Sequence, residues 1–378
     1  MKVTVVGAGI MGMSVAWALE RDGHQVSVYE LGEIPNPLGS SVDQHRLIRF
    51  PYGSELGYTR MVADAYWAWE ELWSDIGKQL YIQTGTLVLA WAGQKWPHDS
   101  AINVEKLGIS VQWLETQDLQ RTFPLFKFDG VESAFYLDSG GVLLAEQIIA
   151  AMLQYLDNQG VQFHTQTLVR EVDPENAEIF LENGNKVNAD ILIIAAGPWV
   201  KRLLPDFSHR VTPSRQVVVY VRSPTDKISQ WVKTPMILDI DPKCGFYLVP
   251  PVAGTNIKVS DHHFSLTGNP DCDRIAMKEE VDTIYQLCQQ RLQDFDHYQL
   301  QNARTCFYTV APQEHFIVES RGKSWLMSGF SGHGFKFGAL LGLAVAETIA
   351  GYRTPEQLSQ WAAGNISTTI SRTIKRKK

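Results

Sequence analysis

The first thirty residues constrain this chain more than any other stretch. A short apolar run, Val3-Thr4-Val5-Val6, meets Gly7-Ala8-Gly9-Ile10-Met11-Gly12, and a helical pattern follows through Val15, Ala16 and Leu19. Arg21-Asp22-Gly23-His24 turns the chain into a second strand, Gln25 to Tyr29, which closes on Glu30. A strand, a GxGxxG turn, a helix and a strand ending in an acid are the parts of a βαβ dinucleotide-binding unit. Gly7 allows the tight turn, Gly9 lets a pyrophosphate approach the backbone, and Gly12 lets helix and strand pack closely. The helix start at Ile10 and Met11 offers N–H groups and a partial positive charge to phosphates. Glu30 is suited to accept hydrogen bonds from a ribose and to repel a 2′-phosphate. Glycines in an ordinary turn would explain the loop, but not the strand, helix and acid around it. The fingerprint does not choose between NAD and FAD.

The rest of the chain alternates helical and extended patterns. Tyr58–Ile76 reads as an amphipathic helix whose Met61, Val62, Ala65, Trp69, Leu72 and Trp73 face a core. Strand character appears around Thr84–Leu89, and after a loop at Trp96-Pro97 residues 100–123 read as a small α/β excursion. Ala145–Asn158 is a helix, followed by strands at Val161–Thr165 and Leu168–Val172 and a hairpin at Glu182-Asn183-Gly184-Asn185. The continuous apolar run from Ile191 through Ala195, Ala196 and Gly197 suits a strand at a sheet edge beneath a bound dinucleotide. Residues 213–300 turn to long β runs, at Gln216–Arg222, Phe246–Val249 and Asn256–Val259. Strands at Phe316–Glu319 and Trp325–Ser328 then lead through a glycine-rich turn to a helix over Ala339–Ile349. Nucleotide-binding parts thus stand at the start, middle and end, with β-rich segments inserted between them.

With 44 % hydrophobic and 20 % charged residues in a chain of 378, a large core is available and disorder is excluded. A net charge of -7 argues against a nucleic-acid partner, and the basic end, Lys375-Arg376-Lys377-Lys378, reads as a solvated tail. No apolar run approaches the roughly 20 residues that span a bilayer. The four cysteines, Cys244, Cys272, Cys288 and Cys306, show no CxxC spacing, which argues against a zinc site or a disulfide framework, and no metal site is expected. With its first strand beginning at Lys2, the chain is expected to carry no cleaved signal segment and to be cytoplasmic.

Several blocks resemble one family, the FAD-dependent amine oxidases of the monomeric sarcosine oxidase and N-methyltryptophan oxidase type, within the D-amino-acid-oxidase superfamily. The resemblance spans nearly the whole chain. Beside the fingerprint it rests on Arg46-Leu47-Ile48-Arg49-Phe50-Pro51-Tyr52-Gly53 and Asn256-Ile257-Lys258-Val259. Its most specific parts are Thr305-Cys306-Phe307-Tyr308-Thr309, Glu314-His315-Phe316-Ile317-Val318 and Gly329-Phe330-Ser331-Gly332-His333-Gly334-Phe335-Lys336-Phe337. It implies an α/β, mixed α+β fold: a Rossmann-like FAD-binding domain from residues 1–83, 140–212 and 300–378, with an inserted β-sheet substrate domain from 84–139 and 213–299. It also implies FAD held covalently through Cys306, where the residue read by itself is a small buried hydrophobe. The turn holding Gly332, His333, Gly334 and Phe335 would bring N–H groups to the flavin pyrimidine. Arg46 would pack on the flavin face away from the substrate.

Arg49 and Lys336 match the family's pair of cations for a substrate carboxylate, a fork of two donors and a point charge. Lys258 matches the lysine beside flavin N5 that favours oxygen reduction, although an isolated strand lysine is usually a solvated edge charge. Tyr247 and His262 fall on pocket positions, and Tyr308 is suited to line the same cavity. The family's His-His-Gly-Asp-Thr stretch is replaced here by Ser41-Val42-Asp43-Gln44-His45. The implied activity is oxidation of a secondary α-amino acid, N-methyl or cyclic, by hydride transfer to FAD. Imine hydrolysis and H2O2 formation from O2 follow, in a monomer with no membrane partner. A flavin dehydrogenase using another acceptor and a primary amino-acid oxidase share these features. An NAD-dependent dehydrogenase or a non-catalytic nucleotide-binding protein would leave Cys306 and the Gly332 block without a role.

Overall fold

The opening segment folds as its pattern predicts, with strand Lys2–Val6, helix Ile10–Arg21 and strand Gln25–Tyr29. The computed structural model describes residues 1–240 and 245–365. Cys244 and the basic tail lie outside the described residues. The two strands pair in parallel, Val3 opposite Val26 and Val6 opposite Tyr29. A Cβ on Gly12 would sit 1.9 Å from the Gly7 carbonyl oxygen, so only glycine lets the helix lie this close to the turn.

Lys2–Val6 also pairs with Ile191–Ile194, Val5 opposite Ile193. The six-stranded sheet runs Ile317–Arg321, Ser324–Ser328, Ile191–Ile194, Lys2–Val6, Gln25–Tyr29, Gln162–His164. The Ile191 strand therefore stands inside this sheet and not at its edge, and it stops at Ile194, short of the expected Gly197. An apolar run without alternation needs cover on both faces and neighbours on both sides, as an interior strand has. Beyond it the chain enters a 3₁₀ turn over Gly197–Trp199.

A second sheet of eight strands runs Gln299–Val310, Thr212–Arg222, Ile257–Asp261, Phe246–Val249, Met236–Asp239, Thr86–Trp91, Val131–Leu137, Gln112–Glu115. Its strands alternate. Leu87, Leu89, Val217, Val219, Phe246, Leu248, Ile257 and Val259 pack on one face with Phe128, Trp231 and the helix residues Ile284 and Cys288. The neighbouring positions turn to the opposite face, which bears Tyr247, Lys258, Cys306 and Tyr308 around a cavity. The strand carrying Cys306 is hydrogen-bonded along its length to Thr212–Arg222, with Gln216 opposite Cys306 and Ser214 opposite Tyr308.

The expected loop at Trp96-Pro97 is instead the first turn of a helix, Trp96–Glu105. Proline is tolerated there because the first N–H groups of a helix have no partner within it. The long helix Leu56–Ile76 buries Met61, Val62, Ala65, Trp69, Leu72 and Trp73 as its periodicity requires. A small sheet pairs Arg46–Ile48 with Gly141–Leu143, and this delivers Arg46 and Arg49 to the junction of the two large sheets. No helix among the described residues is long and apolar enough to cross a membrane.

Candidate active site

A groove runs over the carboxyl ends of the first sheet, where strand order and helix starts create a site for a ligand. Gly7, Gly9, Ile10 and Met11 form one wall, with Tyr29 and Glu30 beyond them. Ala195 to Trp199, Met327, Gly332, Gly334 and Phe335 form the other side. Gly7 has φ +101°, and a Cβ there would lie 2.5 Å from the Ala195 carbonyl oxygen, so the floor of the groove must be bare backbone. The helix after Gly9 receives no cap from that residue, and its Ile10 N–H donates to Ser41 Oγ at 2.8 Å. Glu30 is buried, fixed by the Ala8 N–H at 2.7 Å and by Asn36 Nδ2 at 2.8 Å. Gly12 stands behind the groove as a packing residue. These residues suit an adenine dinucleotide, with diphosphate over the helix start and ribose at the acid.

The groove continues into a second cavity, and Arg46, Tyr308, Gly332 and Phe335 line both. Arg49, Tyr247, Lys258, His262, Cys306, His333 and Lys336 border only the second cavity among the residues singled out from sequence. The turn between the two has a left-handed Ser331, φ +45°, followed by Gly332 at +79°. A Cβ on Gly332 would come 2.5 Å from the Tyr308 ring, so a side chain there would block the passage.

Lys336 and Arg49 meet at one end of this cavity. Lys336 is 4 % exposed and donates to the Tyr52 hydroxyl at 3.0 Å and the His333 carbonyl at 2.9 Å. Arg49 donates to the Pro51 carbonyl and stacks 4.7 Å above the Tyr52 ring. Among the described residues neither has a carboxylate within ion-pair distance. Burial, with the Arg49 charge added, pushes the Lys336 amine well below the ordinary lysine range. Burial likewise lowers Arg49, and burial with the Lys336 and Arg49 charges holds His333 well below its usual value. The Glu314 carboxylate lines the same cavity and opposes the fall at Arg49. Two buried basic side chains side by side suit an anionic ligand, above all a carboxylate.

At the other end, Lys258 is not the edge charge of an exposed strand. It is 3 % exposed on a strand interior to the eight-stranded sheet, opposite Tyr220 on one side and Val249 on the other. Its Nζ donates to Asp43 Oδ2 at 2.6 Å. Asp43 also pairs with Arg46 and accepts from the Tyr220 hydroxyl. Burial alone would raise the Asp43 carboxyl, but the Lys258 and Arg46 charges hold it well below the carboxylate range. Burial lowers Lys258 to about 8, with Asp43 opposing the fall. Burial and the Lys258 charge take His45 down to about 4, leaving it neutral at pH 7. Cys306 is 8 % exposed, its Sγ 3.9 Å from Arg46 Nη2.

Asp43, Tyr52 and Tyr220 are site residues that reading the sequence did not select. For Asp43 the signal was the departure at residues 41–45. For Tyr220 it was the alternation of its strand, which sets it on the cavity side opposite Val219 and Val221. No cluster of three or more His, Cys, Asp or Glu side chains that could hold a metal occurs among the described residues.

A Rossmann-type groove opening into a buried cavity lined by Arg49, Lys258 and Lys336 is the arrangement of a dinucleotide-dependent oxidoreductase. The chain belongs to the DAO family, the FAD dependent oxidoreductases, whose pattern it matches over residues 2–348. It is 26 % identical over 367 residues to the monomeric sarcosine oxidase of Bacillus sp. (strain B-0618), covering 94 % of each chain. It is 25 % identical over 355 residues to the N-methyl-L-tryptophan oxidase of Escherichia coli (strain SMS-3-5 / SECEC), covering 91 % of this chain and 93 % of that one. Among solved structures, the L-proline dehydrogenase of P. horikoshii superposes with a TM-score of 0.82 at 18 % identity, covering 96 % of both chains. NikD, an amino acid oxidase of nikkomycin biosynthesis, gives 0.79 at 20 % identity over 93 % of this chain and 94 % of that one.

Proposed function

We propose that this protein oxidises the C–N bond of a secondary α-amino acid, N-methyl or cyclic, to an imine. The amino acid loses two electrons and two protons, water hydrolyses the imine, and O2 takes up two electrons and two protons to leave as H2O2. Bound FAD supplies the two-electron acceptor between amino acid and O2. The observation that carries this reading is the pair of buried cations, Arg49 and Lys336, in a cavity that joins the nucleotide groove. Arg49 and Lys336 bind the substrate carboxylate and so orient the adjacent Cα–H. Tyr247 and His262 hydrogen-bond the amino acid in its neutral-amine form, whose lone pair assists departure of the Cα–H. Cys306 would hold the flavin covalently, Arg46 would pack on its face away from the substrate, and the Gly332–Phe335 turn would offer it N–H donors. Lys258 places positive charge where O2 becomes an anion. Monomeric action belongs to the same proposal.

One observation favours a second reading. The Lys258 charge is engaged by Asp43, as would suit a dehydrogenase that passes electrons to a carrier instead of O2. Anaerobic flavin bleaching by a panel of N-methyl, cyclic and D- or L-primary amino acids tests the first reading, followed by reoxidation with O2 and with an electron-accepting dye. The expected result is fastest bleaching by secondary amino acids and stoichiometric peroxide. Failure of every amino acid to bleach the flavin would overturn the proposal, and turnover with dye but not O2 would select the second reading.

A further inference from the structure

We propose that Asp43 is a positioning residue that keeps Lys258 charged, and that it thereby sets the pH range over which the protein reacts with O2. The inference rests on the function proposed above for its second half only. The geometry is a buried relay of charges. Asp43 Oδ2 receives Lys258 Nζ at 2.6 Å and also Arg46, while Oδ1 receives the Tyr220 hydroxyl and the Gln44 N–H at 2.7 Å. The Asp43 and Lys258 side chains are only 3 % and 4 % exposed. Among the described residues the cationic partners of Asp43 are Lys258 and Arg46, of which Arg46 lines both the nucleotide groove and the second cavity and Lys258 the second cavity.

The groups facing Lys258 come from every element packed against it. His45 and Arg46 lie beside Asp43, Tyr220 is on one neighbouring strand and Tyr247 on the other, its ring 6.0 Å from Nζ. Cys306 contributes from the outer strand. Of these, Arg46 opposes a charge on Lys258, and the neutral His45 adds none. Asp43 is the one full negative charge in the set. Two cations and one anion leave one net positive charge in the cluster. Removing the carboxylate leaves Arg46, which cannot lose its proton, beside a buried amine, which can. The amine then deprotonates, the charge retreats to Arg46, and the cation beside the O2 site disappears at neutral pH.

The experiment titrates the Lys258 amine itself in the flavin-loaded protein, through lysine side-chain ¹⁵Nζ resonances, with the signal assigned by its absence in Lys258→Met. The wild type is expected to titrate near pH 8. In Asp43→Asn the midpoint should fall by about one to three pH units, the usual effect of losing a close opposite charge. Stopped-flow reoxidation by O2 should then fall about fivefold or more at pH 8 in Asp43→Asn and recover on acidification, whereas Lys258→Met recovers at no pH. Should Asp43→Asn not fold, Tyr220→Phe provides the opposite displacement: it keeps the carboxylate and frees a lone pair, so the Lys258 midpoint moves up. A Lys258 midpoint that neither variant shifts by more than about 0.3 units would overturn the inference, whatever amino acid the protein oxidises. A shifted midpoint in a protein whose flavin no amino acid bleaches would instead remove the proposed function and leave the charge coupling standing.

Discussion

Replacing Lys336 with methionine should flatten the pH dependence of the unliganded protein's stability while loosening its hold on a carboxylate. Lys336 Nζ is buried, bonded to the Tyr52 hydroxyl at 3.0 Å and the His333 carbonyl at 2.9 Å, with Arg49 as its charged neighbour. Burial first, and Arg49 second, hold its pKa well below the ordinary 10.5. Between the lowered value and 10.5 the unfolded chain binds more protons than the folded one, so wild-type stability rises with pH across that window. The slope from this one group is at most about 1.4 kcal/mol per pH unit, and methionine removes it. An entering carboxylate favours the charged form of Lys336, so binding should raise its pKa and be accompanied by proton uptake wherever the amine is partly deprotonated. Loss of that charge-assisted hydrogen bond costs about 1.5–3 kcal/mol, or roughly 10–150-fold in Kd. Denaturant titrations from pH 7 to 10 read the first effect. Calorimetry with an N-methyl amino acid in buffers of different ionisation heat reads the second and counts protons. If Lys336→Met keeps the wild-type pH slope and the wild-type affinity, Lys336 is a packing residue and the cationic cavity is not a carboxylate site.

Three further outcomes follow from the same geometry. Lys258→Met should leave anaerobic flavin reduction nearly intact while slowing reoxidation by O2. A cation about 4 Å from a forming anion at an effective dielectric near 20 contributes at most about 4 kcal/mol, roughly a thousandfold in rate, and equal slowing of both half-reactions in stopped flow would refute this role. Cys306→Ala should release its yellow colour into the supernatant on acid precipitation, while the wild type keeps colour in the pellet; wild-type flavin found wholly in the supernatant removes the thioether. Gly12→Ala would force a Cβ to 1.9 Å from the Gly7 carbonyl oxygen, so it should lose flavin and lower Tm, with ordinary flavin content as the refuting result.

How much of this could be read from the chain depends on how far apart the interacting residues lie. The βαβ unit was legible because each of its parts depends on immediate neighbours: a turn needs Gly7, a close approach needs Gly12, and a strand's alternation or its absence reports which faces are covered. The same logic exposed the core stripe of Leu56–Ile76. It failed at Trp96-Pro97, where proline marks a helix start as readily as a loop, and at Ile191–Ile194, where an apolar run speaks of two covered faces but not of its place in the sheet. The resemblance brought Arg49, Lys258, Cys306 and Lys336 forward as a set, and the folded chain gathers them around one cavity.

The sequence alone determined a nucleotide groove of the Rossmann kind and a β-rich partner, since turn chemistry and periodicity are local properties, while the cations Arg49, Lys258 and Lys336 were marked out by the family resemblance. Only the tertiary structure decided what Lys258 is. Asp43 lies 215 positions away in the chain, and no pattern of spacing links the two. Their pairing arises because one sheet buries Lys258 at mid-strand while the segment before Arg46 folds back over it. Buried charges take their partners from topology, and topology is a property of the whole chain.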